Sequence, residues 1–324
     1  MLRGRSRGTI HLHSRVRRSN TSSVRATSIV IRFAMFAWLV TGCWFVFGQA
    51  KPILVGVLED NPGHFSGEPH YRAVRAVFYK EGEQWKAFPS SDCTDQDCLQ
   101  KYPQEVIWTI TFDGRQLGNV TGRTPEEFDF YSSVGQQVII SKDIPPAVGQ
   151  PSREFGGFLG QPVYRPLIAV SQPNYRDPDG WKPAKLSAGA TLAVRREFRK
   201  RFAKVTNCPK GRSDKVEPWP YEDSNISVQK AYASQRGWMV ASVLLAPYRC
   251  DGPPDELFAM QWFVITPQQE VRWLDCNMWL VDAGDYDHDG KSELVFVIDD
   301  YNRGGYRLFY DDFRQRAVFE FSYH

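Results

Sequence analysis

The stretch MWLVDAGDYDHDGKSELVFVI, residues 278–298, decides how this chain is read. Two apolar runs, Met278 to Val281 and Leu294 to Ile298, stand on either side of a polar segment in which Asp285, Asp287 and Asp289 alternate and Gly290 follows. Runs this short, rich in β-branched and aromatic residues and bounded by turn formers, predict strands. The same texture extends in both directions. Ile226 to Ala233, Trp238 to Pro247, Phe258 to Thr266, Val271 to Leu274, Gly305 to Tyr310 and Ala317 to Phe321 are further strand-length runs. Turns are expected at Gln235-Arg236-Gly237, Asp251-Gly252-Pro253-Pro254, Pro267-Gln268-Gln269 and Arg303-Gly304. Short strands at this spacing build antiparallel meanders, so the expected fold class is mainly β, propeller-like or a sandwich. No self-similar period runs through them.

Residues 51–140 read the same way, with strands at Ile53 to Leu58, Arg72 to Tyr79, Val106 to Phe112 and Gln137 to Ser141. Asp113-Gly114 is a hairpin signal, with Gln116 to Val120 as the returning strand. Between 141 and 185 the texture changes, because eight of the 21 prolines fall there. Proline removes ladder donors, so a connecting loop is expected, with one strand at Leu167 to Ser171. Residues 186–324 form the last region, which opens on the only helical pattern. Leu186, Ala190, Val194, Phe198 and Phe202 recur every fourth residue, predicting an amphipathic helix around 187–205 with Ser187 near its start. Its other face carries Arg195, Arg196, Arg199, Lys200, Arg201 and Lys204. A solvated face explains them, and a patch for an anionic partner is the alternative.

The formal charge of +3 belongs to the N-terminus. The first fifty residues hold eight arginines and no acid; without them 32 basic residues face 37 acidic ones, a net of −5. An acidic body argues against nucleic acid as a partner. After Arg32 the run from Phe33 to Phe47 carries no charge, and Gly48-Gln49-Ala50 supplies small residues before Lys51. Basic, apolar and small-residue regions in that order predict a signal peptide over 1–50, or an N-terminal membrane anchor. Val40-Thr41-Gly42-Cys43 also resembles a lipobox, with Cys43 as the lipidated residue. Each version places the remainder in a secreted, periplasmic or cell-surface location. Contact with membrane is expected only through this segment or Cys43. Cysteine usage agrees with an oxidising compartment: Cys93 and Cys98 flank a short polar turn and are expected to bridge. Two of Cys208, Cys250 and Cys276 are open to a second bridge. No Cys/His zinc spacing is present.

The sharpest chemistry lies in Asp285-Tyr286-Asp287-His288-Asp289-Gly290-Lys291-Ser292-Glu293. Carboxylates on alternate residues converge when the backbone curls, Gly290 permits the sharp turn, and hard oxygen ligands in that number suit Ca²⁺. An EF-hand needs a bidentate Glu at its twelfth position, which here is Phe296 within an apolar strand. The loop instead resembles a single copy of the FG-GAP (VCBS-type) repeat of integrin-like β-propellers, over roughly Trp279 to Phe309. That resemblance implies a calcium loop joining two strands of a blade. Its ligands would be Asp285, Asp287, Asp289, the carbonyl of Lys291, and Glu293.

His64 and His70 lack an acidic partner at metal-binding spacing and read as loop histidines. Asp92, Asp95 and Asp97 read as a polar disulfide turn before a second cation site. No nucleophile motif, P-loop or dinucleotide fingerprint has its required context. The expectation is therefore an exported, calcium-stabilised β-protein that binds a protein or carbohydrate ligand, without catalytic residues. An exported hydrolase, for example glycan-active, whose carboxylates meet only in the fold is the alternative, as is a structural domain of a surface assembly. Two facing carboxylates in a pocket would favour the enzyme.

Overall fold

The computed structural model describes residues 51–61, 70–90, 93, 95–128, 131–155, 162–206, 217–246, 259–300 and 302–322. The expectations placed on residues 1–50, His64, Asp92, Cys208 and Cys250 lie outside them. The described residues are mainly β, with antiparallel pairing throughout and one substantial helix among them. None of the described helices is long and apolar enough to cross a membrane.

The first seven strands are β1 (Leu54–Asn61), β2 (Tyr71–Glu81), β3 (Gln84–Ala87), β4 (Glu105–Phe112), β5 (Arg115–Arg123), β6 (Gln136–Ile139) and β7 (Leu167–Val170). Six of them pair in the order β1-β7-β4-β5-β6-β2, and β2 pairs back onto β1, so the sheet closes into a barrel-like ring. Closure pairs strand edges that would otherwise stand open. The strand expected at Leu167 to Ser171 proves decisive for this closure. It bonds to β1 on one side and β4 on the other, in the register Val55↔Val170 and Thr109↔Val170. Its four residues are all buried, which is why the Pro/Gly-rich segment around it returns to the ring at this point. Asp113 and Gly114, at φ 46° and 75°, make the expected tight hairpin between β4 and β5. Cys93 and Cys98 are bridged, with Cα atoms 5.4 Å apart. Asp95 caps the short helix α1 (Gln96–Leu99) by accepting the Cys98 N–H at 2.7 Å.

Two more sheets follow. The five-stranded one holds β8 (Lys182–Pro183), β9 (Ile226–Ala233), β10 (Met239–Leu245), β11 (Gln261–Ile265) and β12 (Val271–Cys276), with order β12-β11-β10-β9-β8. The other is a meander of β13 (Met278–Gly284), β14 (Glu293–Asp300), β15 (Arg303–Tyr310) and β16 (Gln315–Ser322). The expected turn at Arg303-Gly304 is corrected here: both residues lie in β15, paired with Asp300 and Asp299. Asn302, at φ 59°, supports the reversal instead, since Asn tolerates the left-handed region.

Helix α2 (Ala188–Arg201) begins where Ser187 accepts the Ala190 N–H at 3.1 Å. It ends at Arg201, short of the expected 205, although Val205 is still buried. Its Ala190, Val194 and Phe198 pack on one face of the five-stranded sheet, against Val243, Phe263 and Ile265. The opposite face of that sheet, through Val240, Trp262 and Val264, packs on Leu280, Leu294 and Phe296 of the meander. The meander's other face, through Val295, Leu308 and Phe319, joins the core of the ring. The order is thus helix, sheet, sheet, ring. Both sheets are covered on both faces, which is why their strands read as nearly continuous apolar runs.

A buried ion pair ties the last two layers together. Arg75 on β2 forks onto Glu59 on β1 at 2.7 and 2.9 Å, and Tyr306 on β15 donates to the same carboxylate at 2.7 Å.

Candidate metal centre

Gly284 and Glu293 form the last rung of the β13–β14 ladder, and the acidic loop is the tip of that hairpin. The loop is built from side-chain-to-backbone bonds that Asp favours over regular structure. Asp285 Oδ2 accepts the Gly290 N–H at 3.1 Å, Asp287 Oδ1 the Asp289 N–H at 3.2 Å, and Asp289 Oδ1 the Lys291 N–H at 2.8 Å. Gly290 sits at φ 89°, a conformation that a side chain resists, and His288 at φ 63°. This curl brings one carboxylate oxygen from each of Asp285, Asp287 and Asp289 within 4.8 Å of one another.

The cluster is graded in depth. Asp285 is 1% exposed, Glu293 is 3% exposed at the loop's root, and Asp289 opens to solvent. Glu293 Oε2 accepts the Tyr286 N–H at 2.9 Å. Asp285 Oδ1 is buried with no hydrogen-bond donor among the described residues. Burial pushes both Asp285 and Glu293 above the usual carboxylate range, and the neighbouring Asp287 and Asp289 charges push in the same direction. Of the five expected ligands, the three aspartates converge and Glu293 is anchored beside them. Lys291, expected to serve through its carbonyl, directs its ammonium to Asp312 at 3.5 Å and Asp311 at 3.9 Å, leaving that carbonyl's role untouched.

The loop has supports that no local pattern announces. Tyr175, from the Pro/Gly-rich segment, stacks on Tyr286 with ring centroids 6.0 Å apart and donates to the Ala283 carbonyl at 2.6 Å. The next carbonyl, of Arg176, accepts the Asp285 N–H at 2.9 Å. Asp177 accepts the Ser292 hydroxyl at 2.5 Å, and Asp179 accepts the Ser292 N–H at 3.2 Å while bound by Arg236 at 2.6 and 2.8 Å. In sequence, Asp177-Pro178-Asp179-Gly180 signals only a turn. On the ring side, Lys80 of β2 donates to Asp287 Oδ2. A register shift in β13 between Leu280 and Asp282 re-aims Asp282. It accepts the Asp113 N–H at 3.2 Å and faces Arg165 at 3.5 Å. Burial raises this carboxyl to about 7 despite Arg165.

The described residues of the other candidate sites are engaged elsewhere. Among the described residues His70 pairs with Asp60, at 2.8 Å, and Asp95 caps its helix. A cleft of about 1000 Å³ on the ring is lined by Leu54, Tyr79, Phe88 and Ile107, with Glu105 as its one carboxylate. A second cleft of about 770 Å³, beside α2 and β9, has no carboxylate in its lining. Neither brings two acids face to face. No protein-family model, curated protein or solved structure matches this chain.

Proposed function

We propose that the loop from Asp285 to Glu293 holds a structural Ca²⁺, and that the chain is an exported β-scaffold that binds a protein partner. The observation that carries the metal reading is Asp285: its carboxylate is buried, one oxygen has no donor, and two further carboxylates stand within ligand range. Held ionised in that state, beyond what the exposed Arg176 at 3.8 Å offsets, the group costs free energy until a proton or a cation answers it. The donors are hard oxygens on a loop with Gly at its sharpest bend, a set that suits calcium over softer metals. Asp285, Asp287, Asp289, the carbonyl of Lys291 and Glu293 would hold the ion, whose charge favours the ionised carboxylates that burial opposes.

A binding role fits the cleft on the ring, whose lining by Leu54, Tyr79, Phe88 and Ile107 is largely apolar. A protein is favoured over a carbohydrate partner by the outer face of the ring. There Ile107 is 67% exposed and shares a cross-strand row with Thr121, to which Ile140 bonds in turn. Exposed aliphatic side chains side by side suit the apolar centre of a protein interface.

The metal reading is tested by calorimetric titration of Ca²⁺ into chelator-treated protein and by melting with and without the ion. Occupancy should raise the melting temperature. Replacing Asp287 and Asp289 by Asn should weaken binding at least tenfold while the chelated protein keeps its β spectrum. A melting temperature indifferent to both calcium and chelator would refute it.

A further inference from the structure

Given calcium at this loop, as proposed above, we infer that Lys80 is a built-in counter-cation that holds the acidic loop folded without calcium and competes with the ion for it. Lys80 lies on β2 of the ring, 207 residues from its partner in sequence, and its ammonium donates to Asp287 Oδ2. The two side chains are 16% and 3% exposed, so this is not a solvated surface pair. The ammonium also lies 5.2 Å from the ring centre of Trp85 and 5.7 Å from that of Tyr310, both buried aromatics that favour a cation over their faces. The other cations nearby are placed differently. Arg176 is 65% exposed at 3.8 Å from Asp285, and Lys291 turns toward Asp311 and Asp312. Lys80 is therefore the one deep positive charge against the cluster among the described residues.

Two consequences follow from its sign. Without calcium, one of four crowded carboxylates is neutralised, which lowers the repulsion that would otherwise open the loop. With calcium, a divalent ion must sit beside an ammonium that already draws on one of its ligands, and that repulsion weakens binding. A neutral donor behind a metal ligand usually strengthens the site by orienting it. Here the donor is charged, and Asp287 keeps a separate orienting bond from the Asp289 N–H at 3.2 Å. Loss of the charge should therefore outweigh loss of the hydrogen bond.

The test compares the full chain with its Lys80→Met, Lys80→Gln and Lys80→Arg variants at low salt. Met keeps the contacts with the two rings, and Gln provides a second neutral side chain should the Met variant fail to fold. Calcium affinity is measured by titration, and melting temperature in chelator and in saturating calcium. The neutral variants should melt lower in chelator yet bind calcium about tenfold tighter, so that calcium raises their melting temperature by more than the wild type's. Lys80→Arg should follow the wild type. Neutral variants that bind calcium equally or more weakly would overturn the competition, as would an Arg variant that behaves like Met. If neither wild type nor neutral variants bind calcium, the metal reading itself falls. Binding by the neutral variants alone would show the lysine as a complete lock.

Discussion

Gly284→Ala is the substitution whose cost can be worked most directly from the geometry. Gly284 ends β13, one residue before the acidic loop, with the ring of Tyr175 laid across it. A Cβ built there would stand 2.1 Å from Tyr175 Cε2, 2.4 Å from its hydroxyl oxygen and 2.6 Å from Cζ, all inside contact distance. The obstacle is the body of a wedged aromatic ring, so Tyr175 must leave. Expelling it gives up a hydrogen bond, about 1 kcal/mol net, and most of an aromatic burial, about 3–4 kcal/mol. The lower chain entropy of Ala returns about 0.5–1 kcal/mol. The expected loss is about 3–4.5 kcal/mol, read by urea denaturation in chelator. Tyr175→Ala should cost a similar amount, and adding Gly284→Ala to it should cost less than about 1 kcal/mol, because the clashing ring is gone. Calcium affinity should fall in both single variants, since Tyr175 and Arg176 hold the loop's entry. A Gly284→Ala protein within 1 kcal/mol of wild type, or a double variant with additive losses, would refute this packing.

Two further outcomes are expected. Because burial raises Asp282 to about 7, the native state keeps a proton that the unfolded chain releases above the usual carboxylate range, so its contribution to stability falls as pH rises from about 4 to 7. In chelator, wild type should lose on the order of 3–4 kcal/mol relative to Asp282→Asn across that window, and a difference that does not change with pH would contradict it. Arg75→Met should cost about 3–5 kcal/mol, because it strands Glu59 as a buried carboxylate, whereas Glu59→Gln with Arg75→Met should recover much of that loss. Denaturant midpoints for the single and double variants decide this, and a single-variant loss under about 1 kcal/mol would exclude a strongly buried pair.

What was legible in the sequence divides by range. The strands of the two sheets were readable because burial on both faces leaves continuous apolar runs, as in Leu294 to Ile298 and Trp262 to Ile265. The Asp113-Gly114 hairpin and the Ser187 cap were readable because their chemistry is local. The ring was not. Its closure depends on β2 returning to β1 and on β7 entering between β1 and β4, where Leu54 bonds to Ser171 across 117 residues. No local residue pattern encodes such a pairing. The acidic loop was legible for the same reason as the hairpin: its carboxylates are neighbours in sequence. Its supports were hidden, since Asp179 reaches Ser292 across 113 residues and Lys80 reaches Asp287 across 207. Asp282 was hidden differently, since it stands just past the apolar run Met278 to Val281 and the register shift in β13 turns it toward Arg165.

The place of the loop in this layering bears on what an ion there would stabilise. A metal on a surface turn orders that turn and little else. This loop closes β13 onto β14, and β14 is the partition between two cores, with Leu294 and Phe296 in one and Val295 in the other. Its entry is bonded to the segment that follows β7, and Asp287 is bonded to β2, so the ring is gripped from two directions. Opening the loop therefore means loosening contacts that belong to both sheets and to the ring. An ion held by Asp285, Asp287, Asp289 and Glu293 would oppose that loosening with its whole binding free energy, because the binding site persists only while those layers stay packed.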